Sequence, residues 1–254
     1  MKPSSTVLVL AALAVVLAGG PVMAGEAPAV DPDAMAALNR MGAELRTHQT
    51  FDVKSDVTME DVLGSGQKLQ YAGTIEVQAR RPNAFKIAMV SDQKARELYY
   101  DGRSVTVFSP RLGYYASFPA PDTIAKTLER AKDNYGIELP LADLFAWGVD
   151  KSLEARVLSG FKVGPEHVGD RKCTHYAFRQ KRADWQIWIA DDGPALPCKL
   201  VITSTGDTSM PQYSSVLHWS FPSSIPDKVF TFAAPATAKK IVIARIEGGG
   251  GKTP

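Results

Sequence analysis

The stretch LQYAGTIEVQA, residues 69–79, decides the fold class of this 254-residue chain. Leu69, Tyr71, Ile75 and Val77 lie at alternate positions, and most of the side chains between them are polar. Strict alternation of this kind is typical of a strand with one buried and one solvated face. Because the run is long for a strand, it indicates one member of a curved antiparallel sheet.

The same period of two recurs on both sides of this stretch. It returns in shorter runs between residues 51 and 118, where Asp101-Gly102 predicts a tight hairpin, and again from Leu158 onward. Counting the runs predicts about ten strands in all. The last of them are expected at residues 228–232 and 241–246.

Two segments have the spacing of helices instead. Asp31-Pro32 predicts the start of an amphipathic helix that reaches about residue 48. Residues 119–147 predict a helical insertion between two sets of strands, which would cover the sheet. Runs of strands with the helices kept apart from them predict an α+β domain.

The first 24 residues have the layout of a cleavable secretory signal peptide. Lys2 precedes the uncharged run Val7–Gly19, and Val22-Met23-Ala24 has the small residues of a cleavage site. The alternative is an uncleaved membrane anchor, but 13 apolar residues fall short of the roughly 20 that span a bilayer. Cleavage after Ala24 would leave Gly25, where a bacterial lipoprotein needs a cysteine, so we expect an exported protein without a lipid anchor.

Beyond the signal peptide we expect a single domain over residues 25–247 and a disordered glycine-rich tail over residues 248–254. The basic and acidic side chains of this part are nearly equal in number and spread along the chain. Such a balance gives no reason to expect nucleic acid as a partner.

Two cysteines, Cys173 and Cys198, each lie at the start of a strand-like run. An even number of cysteines in an exported protein favours a disulfide, and two free buried thiols are the alternative. A bridge would close a loop of about 25 residues and add roughly 3 kcal/mol of stability.

The sequence shows no constellation for catalysis or metal binding. It has no Gly-x-Ser-x-Gly motif, and its four histidines are far apart. We therefore expect no enzyme activity, no catalytic residues, no bound metal and no cofactor.

The apolar strand positions point to ligand binding. An apolar sheet face must be buried, either as a closed core under the helices or in part as the lining of a cavity. We expect such a cavity to take an acyl chain or another apolar ligand. Its candidate lining residues are Leu69, Tyr71, Ile75, Phe85, Ile87, Met89, Leu98, Tyr100, Trp185, Ile187 and Val216.

Several stretches resemble a family of predicted exported bacterial proteins of unknown function. They are Arg81-Pro82-Asn83, Tyr99-Tyr100-Asp101-Gly102, residues 135–141, residues 173–179, Asp184-Trp185-Gln186-Ile187-Trp188-Ile189 and residues 196–203. The resemblance covers nearly all of the chain after the signal peptide. The family looks like a member of the superfamily of the periplasmic lipoprotein carrier LolA and the outer-membrane receptor LolB.

This resemblance implies a half-open antiparallel barrel whose concave face is covered by helices and binds acyl chains. Only the fold and the ligand class carry over from this resemblance, because the carriers' acyl-chain residues cannot be matched residue by residue. We expect a non-catalytic periplasmic binding or carrier protein for a lipidated or other apolar ligand, such as a lipoprotein. The alternative is a structural or interaction module of the envelope with a closed core. Peripheral membrane contact is compatible with either, and the oligomeric state stays open.

Overall fold

The computed structural model describes residues 29–137, 139 and 141–246. The predicted signal peptide and the predicted tail lie outside these residues. The described chain contains four α-helices: α1 (Pro32–Thr47), α2 (Ile124–Tyr135), α3 (Ala142–Ala146) and α4 (Lys151–Ala155). No helix within the described ranges combines the length and the apolar character needed to cross a membrane.

Twelve strands of the described chain form one sheet. They are β1 (Thr50–Val62), β2 (Lys68–Arg80), β3 (Ala84–Ser91), β4 (Ala95–Tyr100), β5 (Ser104–Ser109), β6 (Tyr114–Pro119), β7 (Ser159–Val168), β8 (Arg171–Gln180), β9 (Ala183–Ala190), β10 (Pro197–Ser204), β11 (Gln212–Ser220) and β12 (Lys239–Lys240).

The sheet is open. Its order is β12-β6-β5-β4-β3-β2-β1-β11-β10-β9-β8-β7, so β12 and β7 lie at opposite ends. All neighbouring strands are antiparallel except β12, which runs parallel to β6. This confirms the predicted α+β class and the half-open curved sheet, with twelve strands where the pattern predicted about ten.

The long central strands join the two halves of the sheet. β1 pairs with β2 over their full length, from Thr50 opposite Arg80 to Val62 opposite Lys68. On its other side β1 pairs with β11, which returns at the end of the second set of strands. Because side chains alternate across a strand, every second residue of these strands lies on the face that packs against the helices. We call this the concave face.

Helix α1 begins as the sequence predicts. The Asp31 carboxylate accepts a hydrogen bond from the backbone N–H of Asp33 at 2.8 Å, and Pro32 occupies the first turn. The helix buries Leu38, Met41 and Leu45 against the concave face. Burial of each such side chain stabilises the fold by about 1.5–3 kcal/mol.

The remaining helices form a cover over the concave face. Thr123 caps α2, and Gly136 ends it in a left-handed conformation. The covering helices α2 and α3 follow the predicted insertion, whereas α4, capped by Asp150, was not predicted.

The strand predicted at residues 228–232 is wrong. The chain forms a short 3-10 helix at Asp227–Val229. Phe230 is buried beside Ala84 and Ile225, while Phe232 contacts three aromatic rings elsewhere. The two phenylalanines thus pack against different groups of side chains from an irregular segment. Their spacing of two residues is the same as in a strand, which explains the wrong prediction. Residues 241–246 also form no strand, because the pairing with β6 involves only Lys239–Lys240.

Candidate apolar ligand-binding site

Two cavities lie between the concave face and the helices. The β2–β3 cavity has a volume of about 50 Å³ and is lined by Phe51, Ile75, Val77, Ala79, Arg81, Phe85, Ile87, Ile124, Leu128, Leu139, Leu141, Ala142 and Phe145. The β9–β10 cavity has a volume of about 150 Å³ and is lined by Leu38, Met41, Asp143, Leu144, Trp147, Leu153, Gln180, Ala183, Trp185, Leu200 and Ile202.

Helix α3 is shared by the two cavities. Ala142 and Phe145 line the β2–β3 cavity, whereas Asp143 and Leu144 line the β9–β10 cavity. On the sheet side, Phe145 stacks on Phe51 with ring centroids 4.6 Å apart. One five-residue helix therefore borders both cavities.

Four of the predicted lining residues border these cavities. Ile75, Phe85 and Ile87 line the β2–β3 cavity, and Trp185 lines the β9–β10 cavity. The predicted residues on both sides of α3 are thus brought to the same face of the sheet, under the same cover.

Six others lie outside both cavities. Leu98, Tyr100 and Ile187 are fully buried in the core, and Met89 packs against it. Leu69 and Tyr71 lie half-exposed near the outer end of β2. These residues share the predicted face but do not border either cavity.

Val216 lies on the wrong face for the predicted role. It packs with Trp188, Cys173 and Cys198 on the side of the sheet away from the helices. Its neighbour Leu217 lies in the core under the helices, and Tyr213 and Trp219 of the same strand pack against that core. Both alternating sets of this strand contain apolar side chains, so periodicity alone did not decide which set faces the helices.

Sequence reasoning missed the residues that the cover and one turn contribute, such as Leu128, Ala142, Phe145 and Arg81. The first three carry only the general signal of an apolar helix face. Nothing in the sequence indicates that an arginine in the turn after β2 lies against an apolar cavity.

One turn and two strands, β9 and β11, bring unpaired polar atoms to this interior. Nε and Nη2 of Arg81, Nε1 of Trp185 and the hydroxyl of Tyr213 are buried without a hydrogen-bond partner in the structure. Burial lowers the pKa of Arg81, with a smaller contribution from the charge of Arg46, and burial raises the pKa of Tyr213. Native proteins leave few buried polar groups unpaired. Arg81 and Trp185 line the two cavities, so their unpaired atoms mark places where a ligand can add bonds.

Other polar groups on the concave face are paired. The hydroxyls of Ser55 and Ser215 hydrogen-bond to each other at the centre of the sheet. The hydroxyl of Tyr100 donates to the carbonyl of Pro121 just before α2. These contacts hold the sheet and the start of the cover together without involving either cavity.

The end of α3 is fastened to α1. Nη1 of Arg46 donates to the carbonyl oxygen of Trp147 at 2.7 Å, and Nε1 of Trp147 donates to Oδ1 of Asn39 at 3.2 Å. Gly42 allows this close approach, because a Cβ there would lie 2.8 Å from the Trp147 carbonyl oxygen.

We expect Gly42→Ala to lower the free energy of unfolding by about 1–2 kcal/mol, since the added methyl overpacks the contact between α1 and Trp147. Urea unfolding followed by circular dichroism measures this change. Gly64→Ala is the matched control, because a Cβ at Gly64 meets nothing within 4 Å. Equal effects of the two substitutions would contradict the close contact.

The two cysteines are neighbours on the face away from the helices. Cys173 on β8 and Cys198 on β10 are fully buried, and their Sγ atoms are 2.7 Å apart. Both are free thiols in this structure. The predicted disulfide therefore stays a prediction, now supported by the proximity of the two sulfurs.

The described residues contain no group of three or more His, Cys, Asp or Glu side chains that could hold a metal ion.

Solved structures with a related arrangement are distant in sequence. The lipoprotein LppX of Mycobacterium tuberculosis is 15% identical, with a TM-score of 0.47 over 77% of this chain and 100% of that chain. LprF of Mycobacterium bovis is 14% identical, with a TM-score of 0.47 over 78% of this chain and 98% of that chain. A LolA superfamily protein of Nitrosomonas europaea is 11% identical, with a TM-score of 0.38 over 78% of this chain and 97% of that chain. Similarity at this level does not identify a shared ligand.

Sequence comparisons give a firmer assignment. Comparison with curated proteins yields no match. A family model described as "Predicted periplasmic protein (DUF2092)" matches residues 34–244, which include all twelve strands and nearly all of α1. The resemblance to a family of exported proteins of unknown function is thereby confirmed. This protein belongs to the DUF2092 family of predicted periplasmic proteins.

Proposed function

We propose that this protein is a non-catalytic periplasmic binding or carrier protein that holds the acyl chain of a lipidated or other apolar ligand between its concave face and its helical cover. The observation that carries this proposal is the pair of cavities that α3 separates and borders. The family description supports the periplasmic location.

The sizes of the cavities indicate how a ligand would enter. Sites for small molecules commonly have volumes of about 300–1,000 Å³, whereas these cavities measure about 50 and 150 Å³. A long acyl chain therefore requires the cover to move. Displacing α3 would join the two cavities into one groove along the sheet.

The start of α3 suits such a movement because no side chain caps it, while its end stays hydrogen-bonded to α1 through Trp147. The helix has five residues, and Gly148 after it has a left-handed φ of 76°. Its contact with the sheet includes the stacking of Phe145 on Phe51. Apolar contacts of this kind can be replaced by contacts with an acyl chain at little cost, because neither surface becomes exposed to water.

Native mass spectrometry of the protein purified from the bacterial envelope tests this function. We expect an additional apolar mass that extraction with organic solvent removes, and rebinding of a fluorescent fatty acid by the extracted protein. Protein that carries no ligand and binds no acyl probe would contradict the proposal and favour the envelope module with a closed core.

Tryptophan fluorescence gives a second test. Trp185 lines the β9–β10 cavity, where it stacks on Phe178 at 4.3 Å and meets the edge of Trp147 at 6.2 Å. We expect an acyl chain to change the emission of the protein, and Trp185→Phe to reduce that change, with the remainder coming from Trp147, which lines the same cavity.

Trp188→Phe is the matched control for this measurement. Trp188 lies three residues further along the same strand and on its opposite face. It stacks on His175, and its Nε1 donates a hydrogen bond to the carboxylate of Glu166. The ligand-induced change should persist in this variant. A change that Trp188→Phe removes and Trp185→Phe keeps would place the ligand on the wrong face for the proposed function.

A further inference from the structure

Among the residues that the structure describes, Arg81 is the one charged side chain that lines the β2–β3 cavity, and the other twelve lining residues are apolar. It lies directly after β2, in the turn that leads to β3. Its Nε and Nη2 atoms are buried and have no hydrogen-bond partner in the structure. An apolar cavity thus ends on an unsatisfied cationic group.

The neighbourhood does little to stabilise this charge. An arginine stays protonated in proteins, so burial leaves a charge that needs a partner. The ring centroid of Phe51 lies 5.9 Å from the guanidinium carbon, near the limit of a cation–π contact. Arg46 adds a like charge nearby, and with burial it lowers the pKa of Arg81.

The adjacent arginines of the fold are satisfied, which makes Arg81 distinctive. Nη2 of Arg80 lies 2.6 Å from the Asp227 carboxylate, and Nη1 donates to the carbonyl of Ile225 at 3.1 Å. Arg46 donates to the carbonyl of Trp147. Of these three, Arg81 alone has free buried donors.

The free atoms of Arg81 have the geometry that binds an oxyanion. Nε and Nη2 point along one edge of the guanidinium and can donate two parallel hydrogen bonds. Arg179 uses this same pair of atoms on the Asp184 carboxylate, at 2.8 and 2.7 Å. A carboxylate or a phosphate oxygen pair would satisfy Arg81 in the same way.

We propose that Arg81 binds the anionic head group of the ligand, and that the ligand is therefore an acyl chain ending in an oxyanion. This inference rests on the proposed function and specifies the chemistry of its ligand. The apolar lining accepts the chain, and the guanidinium selects the charged end. A neutral lipid would leave the buried charge unpaired.

Displacement of a bound fluorescent probe by four C16 compounds tests the proposal: palmitic acid, hexadecyl phosphate, methyl palmitate and hexadecanol. A neutral environment-sensitive dye serves as the probe. We expect the wild-type protein to bind at least one of the two anions about 10–100-fold more tightly than both neutral compounds, as charge-assisted hydrogen bonds imply. Preference for the acid or for the phosphate identifies the source of the oxyanion.

Arg81→Met should abolish this preference, with weaker binding of the anions and unchanged or tighter binding of the neutral compounds. Arg80→Met is the matched control, because Arg80 is paired with Asp227, and it should keep the preference. In the absence of ligand, Arg81→Met should also raise the thermal midpoint, since it removes an unpaired buried charge. A purely structural arginine would lower it.

The outcomes separate the two proposals. Equal binding of all four compounds by the wild-type protein would overturn the role of Arg81 and leave the proposed function standing. Binding of none of them would overturn the proposed function itself. If Arg81→Met does not fold, Arg81→Gln and the selectivity of the wild-type protein decide the same question.

Discussion

Replacing Ala142 with tryptophan is expected to weaken the binding of a long acyl chain about 100-fold, equivalent to about 2.7 kcal/mol. Ala142 lies on α3 and lines the β2–β3 cavity, whose volume is about 50 Å³. An indole at this position occupies the space that the chain needs beside Ile75 and Phe85. Titration with a fluorescent fatty acid measures the loss directly.

The matched control is Ala155→Trp, which makes the same change at an exposed alanine of the cover, on α4. This variant should bind the fatty acid as the wild-type protein does. Circular dichroism of both variants shows whether they keep the strand content of the native sheet. A folded Ala142→Trp protein with unchanged affinity would exclude the β2–β3 cavity as the place of the chain.

Oxidation of Cys173 and Cys198 to a disulfide is expected to raise the free energy of unfolding by about 3 kcal/mol. The two residues lie on β8 and β10, which flank β9, and both are fully buried. The bridge would therefore lower the conformational entropy of the unfolded chain. In the folded protein the two cysteines are already held side by side by the sheet. Urea unfolding of the oxidised protein and of the protein in excess reductant measures the difference.

The pH dependence of stability provides an independent check on these cysteines. Burial raises the pKa of the Cys198 thiol to about 12, and it raises that of Cys173 as well. The folded state thus favours the protonated thiols, while an unfolded cysteine ionises above about pH 8.5. The reduced protein should lose stability as the pH rises above that value, and the oxidised protein should not.

A double variant, Cys173→Ala with Cys198→Ala, is the control for both measurements and should respond neither to reductant nor to this pH range. Protein isolated from the periplasm should contain no free thiol after denaturation. Two reactive thiols per chain in that sample would show that the bridge does not form.

The sequence predicted the parts of the fold that depend on local patterns. The alternation of residues 69–79 predicted β2, because one face of that strand is buried and the other is polar. Asp31 and Pro32 predicted the start of α1, because a helix needs donors capped at its first turn. These patterns involve residues close together in the sequence, so they can be recognised without knowledge of the tertiary structure.

The candidate site depended on information that local patterns lack. Val216 and Leu217 are both apolar, and only the pairing of β11 with β1 and β10 decides which of them faces the helices. Arg81 lies in a turn, where an exposed side chain is the ordinary expectation, yet its donors are buried. The contribution of α3 to two cavities follows from how the cover folds back onto the sheet, which no single segment encodes.

Photo-crosslinking with a palmitic acid that carries a diazirine along its chain tests the central claim most directly. The claim is that an acyl chain lies between the concave face and α3. We predict labels on peptides from β2, β3 and α3, with Ile75, Phe85 and Ala142 among the modified residues, and loss of these labels when unlabelled palmitate competes. Labels confined to the opposite face, around Trp188 and Val216, would contradict the account.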